Sequence, residues 1–133
     1  MLTVLIADDE WIIREGLVSF PWEEYGCRVV CEAADGDEAL HLAKLHRPDI
    51  ILSDIKMPGL SGLEFVSKVK EYSPDVEVLL LTGYNNFNFA QDAIRIGIFD
   101  YLLKPVTSEK MREVIGKLTR KIEYKQLKFT PYK

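Results

Sequence analysis

Three stretches of this chain, Leu2-Thr3-Val4-Leu5-Ile6-Ala7, Ile50-Ile51-Leu52-Ser53 and Val76 to Leu81, are apolar at nearly every position rather than at every second one. A strand with one wet face alternates, whereas a strand covered on both faces reads as a continuous apolar run, the mark of a parallel sheet between helical layers. Weaker runs at Arg28 to Ala34 and Tyr101-Leu102-Leu103 bring the predicted strands to five. Helical spacing fills the gaps between them. One stripe is Ile12, Ile13, Gly16, Leu17 and Phe20, closed by Pro21 and Gly26. Asp35 with Glu38 forms a helix start before Ala39, Leu42 and Ala43, and Ser61-Gly62-Leu63-Glu64 forms a fuller capping box before Phe65, Val66 and Val69. Phe87, Ala90, Ala93 and Ile94 mark a fourth helix ended by Gly97, and Ser108 opens a fifth through Met111, Val114, Ile115, Leu118 and Ile122. Strands alternating with helices over short loops, joined by right-handed crossovers, predict an α/β fold: a doubly wound five-stranded parallel sheet.

The chain has 133 residues, 47% apolar and 29% charged, which suits one globular domain with a real core. No window nears the roughly 18 apolar residues of a membrane span, and Met1-Leu2-Thr3 enters the first strand without a leader pattern. The expected setting is therefore the cytoplasm, with no membrane partner. A disulfide between Cys27 and Cys31 is open on spacing alone, although reduced, buried thiols suit that setting better. Charge is unevenly spread: residues 1–109 carry a net −10 and residues 110–133 a net +6. The acidic bulk offers no surface to nucleic acid. The basic end is either a solvated helical tail or a lead into a nucleic-acid-binding part.

In open parallel sheets, ligands sit beyond the carboxyl ends of the strands. Those ends carry Asp8-Asp9, Asp54, Thr82 and Lys104. Taken singly, each has a plain structural use as a cap or a solvated turn residue. Together they would place three carboxylates, a hydroxyl and an ammonium in one pocket. Such a cluster needs protons or a cation, and an all-oxygen donor set suits Mg²⁺. With a cation present, one carboxylate can act as nucleophile toward a phosphoryl group while Lys104 neutralises its oxygens. Glu10, next in line, reads instead as the start of the first helix, at its positive dipole end.

The motifs "ADDE", "LSDIKMPGLSGLE", "LLLTGY" and "DYLLKPV", in this order and spacing, resemble the receiver domains of two-component response regulators over residues 2–124. The resemblance implies a (βα)5 flavodoxin-like sheet of order 2-1-3-4-5, with 125–133 an extension or the start of a linker. It implies that Asp54 accepts a phosphoryl group from a phosphohistidine on a sensor histidine kinase. Asp9 and Asp54 correspond to direct Mg²⁺ ligands, Mn²⁺ being admissible. Asp8 would act through metal-bound water, and the backbone carbonyl of Lys56 would be a third protein ligand. Lys104 corresponds to the lysine that pairs with the phosphoryl group, its bond to Pro105 being cis in this family. Thr82 and Tyr101 correspond to the switch pair, whose beneficiary is a dimerisation face made by the fourth helix, fifth strand and fifth helix. Two variable positions, cationic Lys56 and bulky Tyr84, would slow dephosphorylation, and small Gly83 would leave room beside the site. Such a domain assists its own modification and is not a turnover enzyme.

A finer likeness lies in "DDEWIIREGL", "PWEEYGCRVVCEAADGDEAL" and "TGYNNFNFAQDAIRIGIFDYLLKPV", with Trp11, Trp22, Phe87 and Phe89. These stretches resemble the receiver branch whose output is an AraC-type helix-turn-helix domain. Trp22 and Phe87 also read as ordinary core aromatics. On the finer likeness the protein would control transcription through a DNA-binding domain absent from this chain. The alternative is a stand-alone receiver acting by protein contact or phosphorelay. Met111, Ile115, Leu118 and Ile122 repeat with 4-3-4 spacing, either as a linker coil or as the packed face of the last helix. Two other classes fit poorly. A dehalogenase-like phosphatase needs an acid two residues after its nucleophile, where Lys56 stands, and a nucleotide-binding module needs a Gly-rich cradle where "DDE" stands.

Overall fold

The computed structural model describes residues 1–83 and 87–129. Strands β1 (Leu2–Ala7), β2 (Cys27–Ala33), β3 (Ile50–Asp54), β4 (Glu77–Thr82) and β5 (Asp100–Leu103) form one sheet in the order β2-β1-β3-β4-β5. All four pairings are parallel. The helices are α1 (Trp11–Val18), α2 (Gly36–His46), α3 (Gly62–Tyr72), α4 (Phe87–Ile96) and α5 (Ser108–Phe129). The doubly wound fold predicted from the continuous apolar runs is the fold observed.

The pleat sends alternate side chains of each buried strand into two separate cores. Val4 and Ile6 join Ile50, Leu52, Leu79 and Leu81 under α1 and α5. Leu5 and Ala7 join Ile51, Val78 and Leu80 under α2, α3 and α4. The 4-3-4 repeat of the last helix is used here: Met111, Ile115 and Leu118 are buried in the first core, with Ile122 packed at its edge. It is a helix-to-sheet face. The helix itself continues beyond it, with Tyr124 and Leu127 exposed.

An irregularity in β2 decides the cysteine question. Val4 pairs with Val29 but Leu5 pairs with Cys31, so Val30 is an extra residue bulged out of the ladder. Without that bulge, residues four apart would share a face. With it, Cys27 is buried in the first core and Cys31 packs against the second. The sheet lies between the two sulfurs, and both are free thiols.

Three local readings are revised. On α1, Leu17 is buried and Ile13 and Phe20 pack against the core, but Ile12 is 71% exposed. Ile12 and Gly16 line a groove of about 730 Å³ between α1 and the start of α5 rather than the core. On α4, Ile94 is 77% exposed, because Ala93 and Ile96 are the pair turned to the second core. Between α1 and β2 the chain makes a 3₁₀ turn, Trp22–Tyr25, that helical spacing does not announce. Its Trp22 is a core aromatic, only 3% exposed, and its Nε1 donates to the Leu17 carbonyl at 2.9 Å. Phe20 meets Trp22 edge-on at 5.1 Å and stacks on Tyr25 at 5.6 Å, closing that end of the first core.

Both predicted helix starts hold. Ser61 accepts from the Glu64 N–H while Glu64 accepts from the Ser61 N–H, the full reciprocal box. Asp35 accepts from the Glu38 N–H at 2.7 Å, but Glu38 reaches back one residue further, to the Ala34 N–H at 3.0 Å.

Candidate functional site at the carboxyl edge of the sheet

Strand register brings the predicted residues to one edge. Asp54 is the last residue of β3 and Thr82 the last of β4. Asp8 follows β1, with its N–H donating to the Ala33 carbonyl at 3.0 Å, and Lys104 follows β5, with its N–H donating to the Thr82 carbonyl at 2.8 Å. The parallel ladder therefore aligns four strand ends without help from the loops. The Lys104–Pro105 peptide is cis.

Lys104 is the hub. Its Nζ lies 2.9 Å from Asp54 Oδ2, 2.9 Å from Asp8 Oδ2 and 3.6 Å from Glu10 Oε1. Asp8 is fully buried, Asp54 nearly so and Asp9 exposed. A cavity of about 360 Å³ is lined by Asp9, Glu10, Asp54, Lys56, Thr82 and Lys104, among others. The buried Asp8 thus sits behind the hub lysine, while Asp9 faces solvent at the mouth.

Burial pushes the Asp54 carboxyl above its ordinary range. The hydrogen bond and charge of Lys104 and the backbone N–H of Lys56 pull it back only in part, and the Asp8 charge adds to the rise. Burial pulls the Lys104 ammonium down, but its bonds to Asp54 and Asp8 outweigh that and hold it above the usual lysine value. Lys104 is therefore firmly cationic beside the carboxylates.

Glu10 corrects the sequence reading. It does precede the first turn of α1, but its side chain caps nothing there. One carboxylate oxygen from each of Asp8, Asp9, Glu10 and Asp54 lies within 4.8 Å of the others. The four carboxylates gather beside the Lys104 ammonium, and every donor they offer is oxygen. That donor set fits a hard divalent cation, which would supply the missing positive charge. The signal for Glu10 in the sequence was its contiguity with Asp8-Asp9. A carboxylate at a helix start has an independent use, which masks that signal.

The remaining predicted residues divide. Lys56 is exposed and lines the cavity. Tyr101 does not: it stands on β5, 40% exposed, outside the cavity lining. Gly83 lines the cavity, and a Cβ built there would stand in open space, meeting no described atom within 4 Å. Gly62, by contrast, is required by close approach. A Cβ there would collide with the Asp54 carbonyl, and its N–H donates to the Ile55 carbonyl at 2.6 Å. The start of α3 is thereby seated directly on the strand end that carries Asp54. Tyr84 and the side chains of Phe87 and Phe89 lie outside the described residues.

A five-stranded 2-1-3-4-5 parallel sheet with this acidic edge and its lysine hub defines a class: phospho-accepting signalling domains rather than classical enzymes. Residues 4–116 match the family described as "Response regulator receiver domain", and the chain belongs to that family. It is 36% identical over 131 residues to the uncharacterized transcriptional regulatory protein YesN of Bacillus subtilis, covering 95% of this chain and 36% of that protein. It is 37% identical over 121 residues to the transcriptional regulatory protein HptR of Staphylococcus aureus, covering 90% of this chain and 47% of that one. Among solved structures, the REC domain of AraT, a response regulator from Geobacillus stearothermophilus, superposes with a TM-score of 0.90 at 45% identity. That match covers 94% of this chain and 98% of the other. The chain thus spans less than half the length of these two curated relatives.

Proposed function

We propose that Asp54 is the phospho-accepting residue of this receiver, that Mg²⁺ is its cofactor, and that a sensor histidine kinase is the donor. The observation that carries this reading is the Lys104 ammonium held 2.9 Å from both Asp54 and Asp8 inside an all-oxygen cluster. Asp9 and Asp54 would hold the metal directly, with Asp8 through water and the Lys56 backbone carbonyl as a further ligand; Mn²⁺ would substitute. When bound, the cation neutralises charge on a transferring phosphoryl group. The chain's own residues do the rest. An Asp54 carboxylate oxygen attacks phosphorus in line, the P–N bond to the donor phosphoimidazolium breaks, and the imidazole leaves neutral, keeping the proton already on its other ring nitrogen. Lys104 exchanges part of its contact with Asp54 for the new phosphoryl oxygens. Thr82, at the neighbouring strand end, donates its hydroxyl to one of them.

The exposed position of Tyr101 on β5 is compatible with its role as the second half of a switch whose first half is Thr82. Tyr101, Leu103 and Ile94 are all exposed apolar side chains on α4 and β5, as a dimerisation face of α4, β5 and α5 requires. Lys56 and Tyr84 are proposed to slow hydrolysis of the aspartyl phosphate, by cationic contact and by crowding the attacking water.

We read the output as transcriptional, through a DNA-binding domain outside this chain and of the AraC helix-turn-helix type. The two curated relatives are named as transcriptional regulatory proteins and are more than twice as long as the stretch they match, which favours a transcriptional output over a stand-alone receiver. The AraC assignment rests on the sequence likeness around Trp11, Trp22 and the Asn-Asn-Phe-Asn-Phe stretch. No described helix is long and apolar enough to cross a membrane, which suits a cytoplasmic setting.

The test is incubation with acetyl phosphate and Mg²⁺, read by intact mass and by sizing chromatography. The wild type should gain one phosphoryl group and shift toward dimer, and Asp54→Ala should do neither. An Asp54→Ala protein that is modified and assembles like the wild type would refute the assignment. Autodephosphorylation of Lys56→Asn and Tyr84→Ala should be faster than wild type, and unchanged rates in both would remove the tuning role.

A further inference from the structure

The β1–α1 junction carries Asp8, Asp9 and Glu10, three of the four carboxylates of the cluster, and it is held by a residue outside that cluster. Asp8 is tied at four points. Its N–H donates to the Ala33 carbonyl at 3.0 Å, its Oδ1 accepts from the Glu10 N–H at 2.9 Å, and its Oδ2 meets Lys104 at 2.9 Å. The fourth tie is to its backbone carbonyl, which accepts from Arg14 Nη1 at 2.6 Å. Among the described residues, this hydrogen bond restrains the peptide plane between Asp8 and Asp9. Rotation of that plane would swing the exposed Asp9 carboxylate relative to Asp54.

Arg14 is built to do this. Its backbone N–H donates to the Glu10 carbonyl at 2.9 Å, so it stands in the first turn of α1, directly over the junction. Its side chain is mostly buried, and Nε reaches Glu32 on β2 at 3.3 Å. That second arm ends on a half-exposed carboxylate and contributes little energy, but it aims the planar guanidinium. The charge-assisted bond to the Asp8 carbonyl is the stronger arm.

We propose that Arg14 is a positioning residue for the divalent cation, acting through the Asp8 carbonyl to set the direction of Asp9. This rests on the reading of the acidic cluster as a Mg²⁺ site. Two effects of Arg14 oppose each other. Its positive charge repels a nearby cation, so removing it would tighten binding. Its hold on the junction preorganises a ligand, and losing such an outer contact typically weakens metal affinity about 10–100-fold. The short, part-buried bond to a neutral carbonyl places the second effect above the first.

The experiment is a calorimetric Mg²⁺ titration of wild type, Arg14→Ala, Arg14→Met and Arg14→Lys, with thermal unfolding of each metal-free protein alongside. Arg14→Met keeps the apolar stem and a good helix former, so it retains the fold if Arg14→Ala does not. Arg14→Met should bind Mg²⁺ about tenfold more weakly, and Arg14→Lys should recover part of the loss by restoring one charged donor. Arg14→Met affinity within twofold of wild type, or tighter than wild type, overturns the proposal. A wild type that takes up no Mg²⁺ overturns instead the reading of the cluster, and the proposal with it.

Discussion

Replacing Lys104 by Met tests the electrostatics of the site before any ligand is added. The ammonium touches two carboxylates at 2.9 Å, one fully buried and the other nearly so. At an effective dielectric of about 20, each contact is worth about 6 kcal/mol of gross attraction. Desolvation of all three groups cancels much of it, so the intact cluster adds little net stability. Removing only the cation is different, because Asp8 and Asp54 then remain buried and facing each other. Such losses cost about 3–5 kcal/mol, a large share of the roughly 5–15 kcal/mol that holds a domain together. For a chain of this size the melting temperature should fall by roughly 6–20 °C.

The pH dependence has a definite sign. Asp54 already titrates above its ordinary 3.8, and losing the Lys104 hydrogen bond and charge removes the main influences that hold it down, so it must rise further. A group whose pKa is raised by folding contributes stability that is present at low pH and lost as pH rises through the folded value. The Lys104→Met deficit should therefore be largest near pH 7 and shrink as pH falls toward 3.8. Millimolar Mg²⁺ should restore more stability to the variant than it adds to wild type, because it replaces the missing charge. Differential scanning calorimetry across pH, with and without Mg²⁺, reads all three effects. A neutral-pH loss under about 1 kcal/mol, the size of an exposed pair, would refute the view that Lys104 is the hub of a buried cluster.

Three further outcomes follow from named contacts. Burial raises both Cys27 and Cys31 from 9.0 to about 11, with the Asp49 charge adding to the rise at Cys27. Iodoacetamide at pH 8 should alkylate the native thiols at least about a hundredfold more slowly than the denatured chain. Protonated thiols then contribute stability below pH 9 that is lost as pH rises toward 11, and no oxidant should join the two cysteines while the sheet is intact. Gly62→Ala should cost about 1–3 kcal/mol in chemical denaturation and perturb the Asp54 amide resonance, since the new methyl group meets the Asp54 carbonyl; an unshifted resonance would contradict this. Glu10→Gln should weaken Mg²⁺ binding by no more than about fivefold and barely alter stability, because that carboxylate is largely exposed. A complete loss of binding would instead make Glu10 an inner ligand.

The nearly continuous apolar runs at 2–7, 50–53 and 76–81 are enough to specify a parallel sheet buried on both faces, because a strand with one wet face would instead alternate polar and apolar residues. The helix caps at Asp35 and Ser61 are equally legible, each accepting from the backbone N–H three residues on. Asp8, Asp9, Asp54, Thr82 and Lys104 were found by reading strand ends, since parallel register maps an end in sequence onto an edge in space. Three things required the folded chain. The Val30 bulge puts Cys27 and Cys31 on opposite faces, a one-residue slip that no spacing rule detects. Ile12 and Ile94 look like core positions on a helical wheel, yet the neighbouring rows are the ones turned inward, because packing against the sheet sets each helix's rotation. Glu10 could serve its helix or the site from its place in the sequence. Only the position of Lys104, brought from 94 residues away, draws its carboxylate into the cluster.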